Sequence, residues 1–65
     1  MHFTRNMLPI LGVMWHGFSN ERDAIRFARW AEKETAKDEY PCDAYVWLEN
    51  DRPEHERWQV KVVNW

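Results

Sequence analysis

Residues 19–38 read SNERDAIRFARWAEKETAKD, and the period of this stretch decides the fold. Ala24, Phe27, Ala28, Ala31 and Thr35 recur at helical spacing and make one narrow apolar face, with Ile25 and Trp30 at its edges. Ser19 suits the N-cap, because its hydroxyl can accept from a free backbone N–H of the first turn; Asn20 is the alternative one residue later. Glu21 and Asp23 then meet the positive end of the helix dipole, and Lys37 lies near the negative end. Pro41 forbids continuation. The spacing predicts a helix over 19–38.

Working outward, the segments on either side carry shorter periods. Leu8 to His16 is too short, and too broken by Pro9 and Gly12, for a helix, so a strand is expected from Ile10 to Trp15. Pro9 fits the first residue of a strand, and Gly12 marks a weak point, a bulge or a close backbone approach. Residues 1–7 show no period and read as a loose lead-in. Beyond the helix, residues 40–43 are a loop, and Ala44 to Leu48 is an aromatic and branched strand. A polar turn around Asp51-Arg52-Pro53 leads to Arg57–Val63, which alternates through Trp58, Val60 and Val62. The last two strands suit an antiparallel hairpin, and a crossover through the helix sets the first strand parallel to a later one. The expectation is an α+β fold of β-α-β-β order: a small three-stranded sheet with one helix packed on one face, in one domain over 1–65. Strand order is left open.

The chain has 65 residues, so its core is small and its stability marginal without very good packing or association. Aromatic residues make up 15% of it, with five tryptophans, which excludes a disordered chain. A net charge of −2 exerts no general pull on nucleic acid or an anionic membrane. No apolar run approaches the roughly 20 residues needed to cross a bilayer, so no membrane partner is expected. Cys42 is the single cysteine, which rules out an internal disulfide. A lone thiol fits a reducing compartment and a cytoplasmic location, with an intermolecular bridge as the alternative.

The strand alternation assigns side chains to two sheet faces. Trp58, Val60 and Val62, with Ala44, Val46 and Leu48, are expected to meet the alanine-rich helix face. Tyr45, Trp47 and Glu49, with Arg57, Gln59, Lys61 and Val63, then point away. From the first strand either Leu11, Val13 and Trp15 or else Ile10 and Met14 join the second set. Large rings on an uncovered face mark an interaction site. Trp15, Tyr45, Trp47, Arg57, Lys61 and Trp65 are its candidate residues. The leading reading is self-association into a homo-oligomer, most simply a symmetric dimer. A second is nucleic acid stacked on Tyr45 and Trp47, with Arg57 and Lys61 on phosphates. A third is cover within one chain by the amino-terminal segment and Trp65.

The helix carries another candidate surface. At about 100° per residue, Arg22, Arg26, Arg29, Lys33 and Lys37 lie within roughly 80° of one another, opposite the apolar face. Arg22–Arg26, Arg29–Lys33 and Lys33–Lys37 are like-charge i,i+4 pairs, which suggests an anionic partner. The leading reading is still an ordinary solvated face, with Asp23–Arg26, Arg29–Glu32 and Glu34–Lys37 available as i,i+3 pairs.

No chemistry is signalled elsewhere. His2, His16, His55 and Cys42 stand at no recognised metal spacing, and Glu54-His55-Glu56 is an acidic loop rather than a converging site. There is no nucleophile elbow and no phosphate-cradling loop. No catalytic residue, cofactor or metal is expected, and a chain this short leaves little room for a pocket. The combined reading is a non-enzymatic interaction protein that self-associates through its aromatic sheet face and binds a protein partner. Nucleic-acid binding is the alternative.

Gly17-Phe18-Ser19 leading into a helix with Ala24 and Ala28, then Arg57-Trp58-Gln59-Val60, is similar to half of a peptidoglycan-binding SPOR domain. That family repeats the strand–helix–strand unit to complete its sheet, and this chain has one copy. The shared features are generic to small strand–helix–strand units, so no function or residue is carried over. Small accessory proteins of phages and mobile elements share this size and character as a class.

Overall fold

A computed structural model describes residues 2–64. Three strands and one helix follow in the expected order: β1 (Gly12–Phe18), α1 (Glu21–Glu34), β2 (Asp43–Leu48) and β3 (Trp58–Asn64). The sheet order is β1-β3-β2, antiparallel throughout, so β1 and β2 run parallel to each other with β3 between them. β3 takes the centre and is the most buried strand: Gln59, Val60, Val62, Val63 and Asn64 are all buried. The α+β reading, with one helix on one sheet face, holds.

The helix is shorter than its period suggests. Asn20 rather than Ser19 caps it: the Asp23 N–H donates to Asn20 Oδ1 at 2.9 Å, and Asn20 Nδ2 returns a bond to Asp23 Oδ2 at 3.1 Å. At the other end the chain leaves the helix at Thr35, not Asp38. The Thr35 hydroxyl donates to the Ala31 carbonyl at 2.8 Å and accepts from the Cys42 N–H at 2.9 Å. Those bonds pin the last turn to the start of β2. Ala24, Phe27, Ala28, Ala31 and Thr35 are buried, as the helical spacing implies.

Strand boundaries also shift. β1 begins at Gly12, whose φ of +104° is a conformation that favours glycine, and runs on to Phe18. Ile10, expected in the strand, is instead 96% exposed ahead of it. Arg57 precedes β3 in a helical conformation, closing a 3-10 turn over Glu54–Glu56.

The register sorts the sheet into rows. On the helix side lie Met14–Val62–Ala44, His16–Val60–Val46 and Phe18–Trp58–Leu48. The helix packs chiefly over β2 and β3, and Glu32 Oε2 accepts from the Ala44 N–H on the edge strand at 3.2 Å. The space it leaves over β1 is filled by the amino-terminal segment. Phe3 packs against Phe27 and Trp30, Leu8 is buried in the core, and His16 Nε2 donates to the Met7 carbonyl at 2.7 Å. Arg5 bonds Asp38 across at 2.8 Å, and that hydrogen bond raises the guanidinium pKa still further. For residues 2–7 the expected loose lead-in is therefore wrong: Phe3 and Met7 pack against the core, so the segment is tied down, and Met1 lies outside the described residues.

Candidate interaction surface

The opposite sheet face carries no helix. Its rows are Val13–Val63–Asp43, Trp15–Lys61–Tyr45 and Gly17–Gln59–Trp47. For Ala44–Leu48 and Trp58–Val63 the faces assigned by alternation are the observed ones, although Leu48 lies exposed at the sheet edge rather than under the helix; β1 contributes Val13 and Trp15 to the open side. The middle row is its centre. Trp15 and Tyr45 are 57% and 55% exposed, on the two outer strands, with Lys61 between them. The Lys61 ammonium lies 5.9 Å from the centroid of the Trp15 ring, a cation–π arrangement that holds the charge against the ring. Trp47 is half-buried and its indole N–H donates to Glu49 Oε2 at 2.7 Å.

One end of this face is covered. The turn Glu54–Glu56 folds onto β1 at Gly17, where a Cβ would stand 2.5 Å from Glu56 Cβ. Glycine is required there by this close approach. Beneath the turn, Gln59 is buried and its Nε2 donates to the Glu56 carbonyl at 2.5 Å. Among the described residues the amino-terminal segment does not cover this face, because Phe3, Met7 and Leu8 sit on the helix side. Trp65, the other expected cover, lies outside the described residues.

Arg57 does not join the group as expected. Its Nε donates to the Arg52 carbonyl at 3.1 Å, which ties it to the β2–β3 connection. The cause is local: Arg57 ends a 3-10 turn and so lies outside the alternation that orients Lys61. The face thus holds Trp15, Tyr45, Trp47 and Lys61 together. Cys42 is buried, with Asn64 Nδ2 at 3.6 Å from its sulfur, so a bridge to another chain requires local opening.

On the helix, Arg22, Arg26, Arg29 and Lys33 are exposed on one stripe. Lys37 falls in the turn after Glu34 and is not part of it. Among the described residues, ion pairs within 4 Å are limited to Arg5–Asp38 and His55–Glu56, so none of the three available i,i+3 pairs is formed. Two acids are engaged elsewhere: Asp23 in the N-cap and Glu32 at the edge of β2.

A concavity that the sequence reading did not foresee opens at the C-terminal end of α1. It encloses about 720 Å³ between the amino-terminal segment, residues 35–40 and the ends of β1 and β3. Asn64 was not singled out, although strand alternation from Val62 places it on the helix side. Among the described residues there is no group of three potential metal ligands and no helix long and apolar enough to cross a membrane. Comparison with protein-family models, curated proteins and solved structures gives no match.

Proposed function

We propose that this protein is a non-enzymatic interaction module that self-associates through the open sheet face and presents its helix to a second partner. The observation that carries the reading is the Trp15–Lys61–Tyr45 row, two half-exposed rings on a face that no helix covers. Exposed aromatic patches of this kind mark contact surfaces. A two-fold arrangement sets the row against its own copy, ring on ring, with each Lys61 retained on a Trp15.

Size argues for weak association. Strands about 4.8 Å apart and seven residues long at about 3.4 Å each give a face of roughly 14 by 24 Å. Part of that is taken by the Glu54–Glu56 turn. The area buried between two copies, roughly 700 Å² in total at most, lies below the roughly 1,200 Å² of stable specific interfaces, in the range of weak, transient contacts.

Nucleic acid is the alternative, and the observation that favours it is the helix stripe rather than the sheet. Arg22, Arg26, Arg29 and Lys33 have no carboxylate within 4 Å among the described residues, so they are available to an anion. On the sheet face the cations reduce to Lys61, which does not make the basic track that a phosphate backbone needs.

Sedimentation across dilution, with Trp15→Ala alongside, tests the proposal. The native chain is expected to exceed its 8.0 kDa monomer mass at high concentration and return to it on dilution. Trp15→Ala is expected to stay monomeric. A native monomer at the highest attainable concentration removes the self-association reading. Binding to labelled DNA that weakens steeply with salt supports the alternative, and no binding at low salt eliminates it.

A further inference from the structure

The sheet ends in two strands, β1 and β2, each with one side of its backbone unpaired by another strand. Which groups face outward follows from a single bond. The Glu49 N–H donates to the Arg57 carbonyl at 2.8 Å, and in the β2–β3 register this makes the odd-numbered residues of both strands the hydrogen-bonded ones. The even-numbered residues of β3 therefore bond to β1, through pairs such as Met14–Val62 and His16–Val60. Val13, Trp15 and Gly17 then turn their N–H and C=O groups outward. On β2 the same alternation turns Ala44, Val46 and Leu48 outward, and the Ala44 N–H is the one that donates to Glu32 Oε2.

The two edges are guarded unequally. β2 opens on Asp43, and Glu32 occupies its first outward N–H at 3.2 Å. β1 is GVMWHGF, seven residues with no Lys, Arg, Asp, Glu or Pro. Its pairing with β3 runs from Gly12 to Phe18 without a skipped residue, so no bulge twists the edge away. Among the described residues, no backbone group outside the sheet bonds to β1. A long, uncharged edge without a bulge is a template for another strand.

We infer that the outer edge of β1 pairs antiparallel with β1 of a second copy, joining two sheets into one of six strands. The strand is complementary to itself about Trp15. In the hydrogen-bonded pairs Trp15 meets Trp15 of the second copy and Val13 meets Gly17, with no like charges opposed. The open face then carries one continuous row, Tyr45–Lys61–Trp15 followed by its copy in reverse. This joint does not require the open faces to pair, but it supplies the area they lack. Two six-stranded sheets set face to face bury roughly 1,400 Å², within the range of stable specific interfaces.

Amide hydrogen exchange followed by NMR across dilution reads the edge directly, because face-to-face contact engages no backbone N–H. Exchange at Val13, Trp15 and Gly17 is expected to slow with concentration, roughly tenfold at about ten times the dissociation constant, while Val46 and Leu48 stay fast. Isotope-filtered spectra are expected to show the Met14 Hα against the His16 Hα of the second copy. A synthetic chain N-methylated at Trp15 keeps every side chain and every ladder bond within the chain, and is expected to lose both signals while circular dichroism shows it folded. The proposal is overturned if the three amides exchange at one rate at all concentrations, or if the slowing falls on Val46 and Leu48 instead. It is also overturned if the folded N-methylated chain keeps the native signals. Cross-subunit contacts from Tyr45 and Trp47 without amide slowing sustain the open-face pairing and overturn the edge; slowing without those contacts does the reverse.

Discussion

Replacing Phe27 tests whether the amino-terminal segment is a layer of the core. Phe27 is fully buried, and its ring centroid lies 5.2 Å from Phe3, 4.9 Å from His16, 5.4 Å from Phe18 and 5.9 Å from Trp30. Truncation to alanine at such a site costs about 3–5 kcal/mol. A chain of 65 residues at about 0.05–0.15 kcal/mol per residue has roughly 3–10 kcal/mol in all, so Phe27→Ala is expected to be barely folded or unfolded. Phe27→Leu keeps most of the volume and loses the ring contacts, a cost of about 1–2 kcal/mol. In urea, with a slope near ~1 kcal/mol per molar for a small domain, that lowers the midpoint by roughly 1–2 M. Adding Phe3→Ala to the leucine background isolates the Phe3–Phe27 pair, expected to couple by about 0.5–1.5 kcal/mol. Unfolding curves followed by circular dichroism and tryptophan fluorescence give each term. An unchanged midpoint for Phe27→Leu, or strict additivity with Phe3→Ala, would refute the reasoning that residues 3–8 complete the core over β1.

Three further substitutions probe other joints of the fold by the same urea assay. Gly17→Ala places a methyl 2.5 Å from Glu56 Cβ and is expected to cost about 1–3 kcal/mol as the Glu54–Glu56 turn is pushed off the sheet; a neutral result would mean that the turn is not packed there. Thr35→Val leaves the Cys42 N–H without its acceptor and is expected to cost about 1–3 kcal/mol, with faster hydrogen exchange at Cys42 as its signature. Asn20→Ala removes the N-cap and is expected to cost about 1 kcal/mol, whereas Ser19→Ala is expected to be nearly neutral; the reverse order would move the cap to Ser19.

Much of this architecture was legible because two periods dominate the chain. The helix face from Ala24 to Thr35 and the alternation through Trp58, Val60 and Val62 are both local patterns, and each places its side chains without knowledge of the partner element. The helix end was not legible in the same way. It depends on the Thr35 hydroxyl meeting the Cys42 N–H, a contact between residues seven apart that exists only once β2 is docked. The start of β1 moved because Gly12 takes a positive φ, which separates Ile10 and Leu11 from the strand. Arg57 was misplaced for a related reason, since a 3-10 turn interrupts the alternation one residue before β3. The concavity around Asn64 was illegible because its walls come from four separate segments. The amino-terminal segment carried no period at all, and its packing is decided by the gap that a single helix leaves over β1.

The claim that the open face pairs with its own copy is tested most directly by isotope-filtered NMR on a mixture of labelled and unlabelled chains at high concentration. Cross-subunit contacts from the Trp15, Tyr45 and Trp47 rings to one another and to the Lys61 side chain are the expected result. Cross-subunit contacts confined to the helix surface, or none while the chain sediments as a monomer, would contradict it.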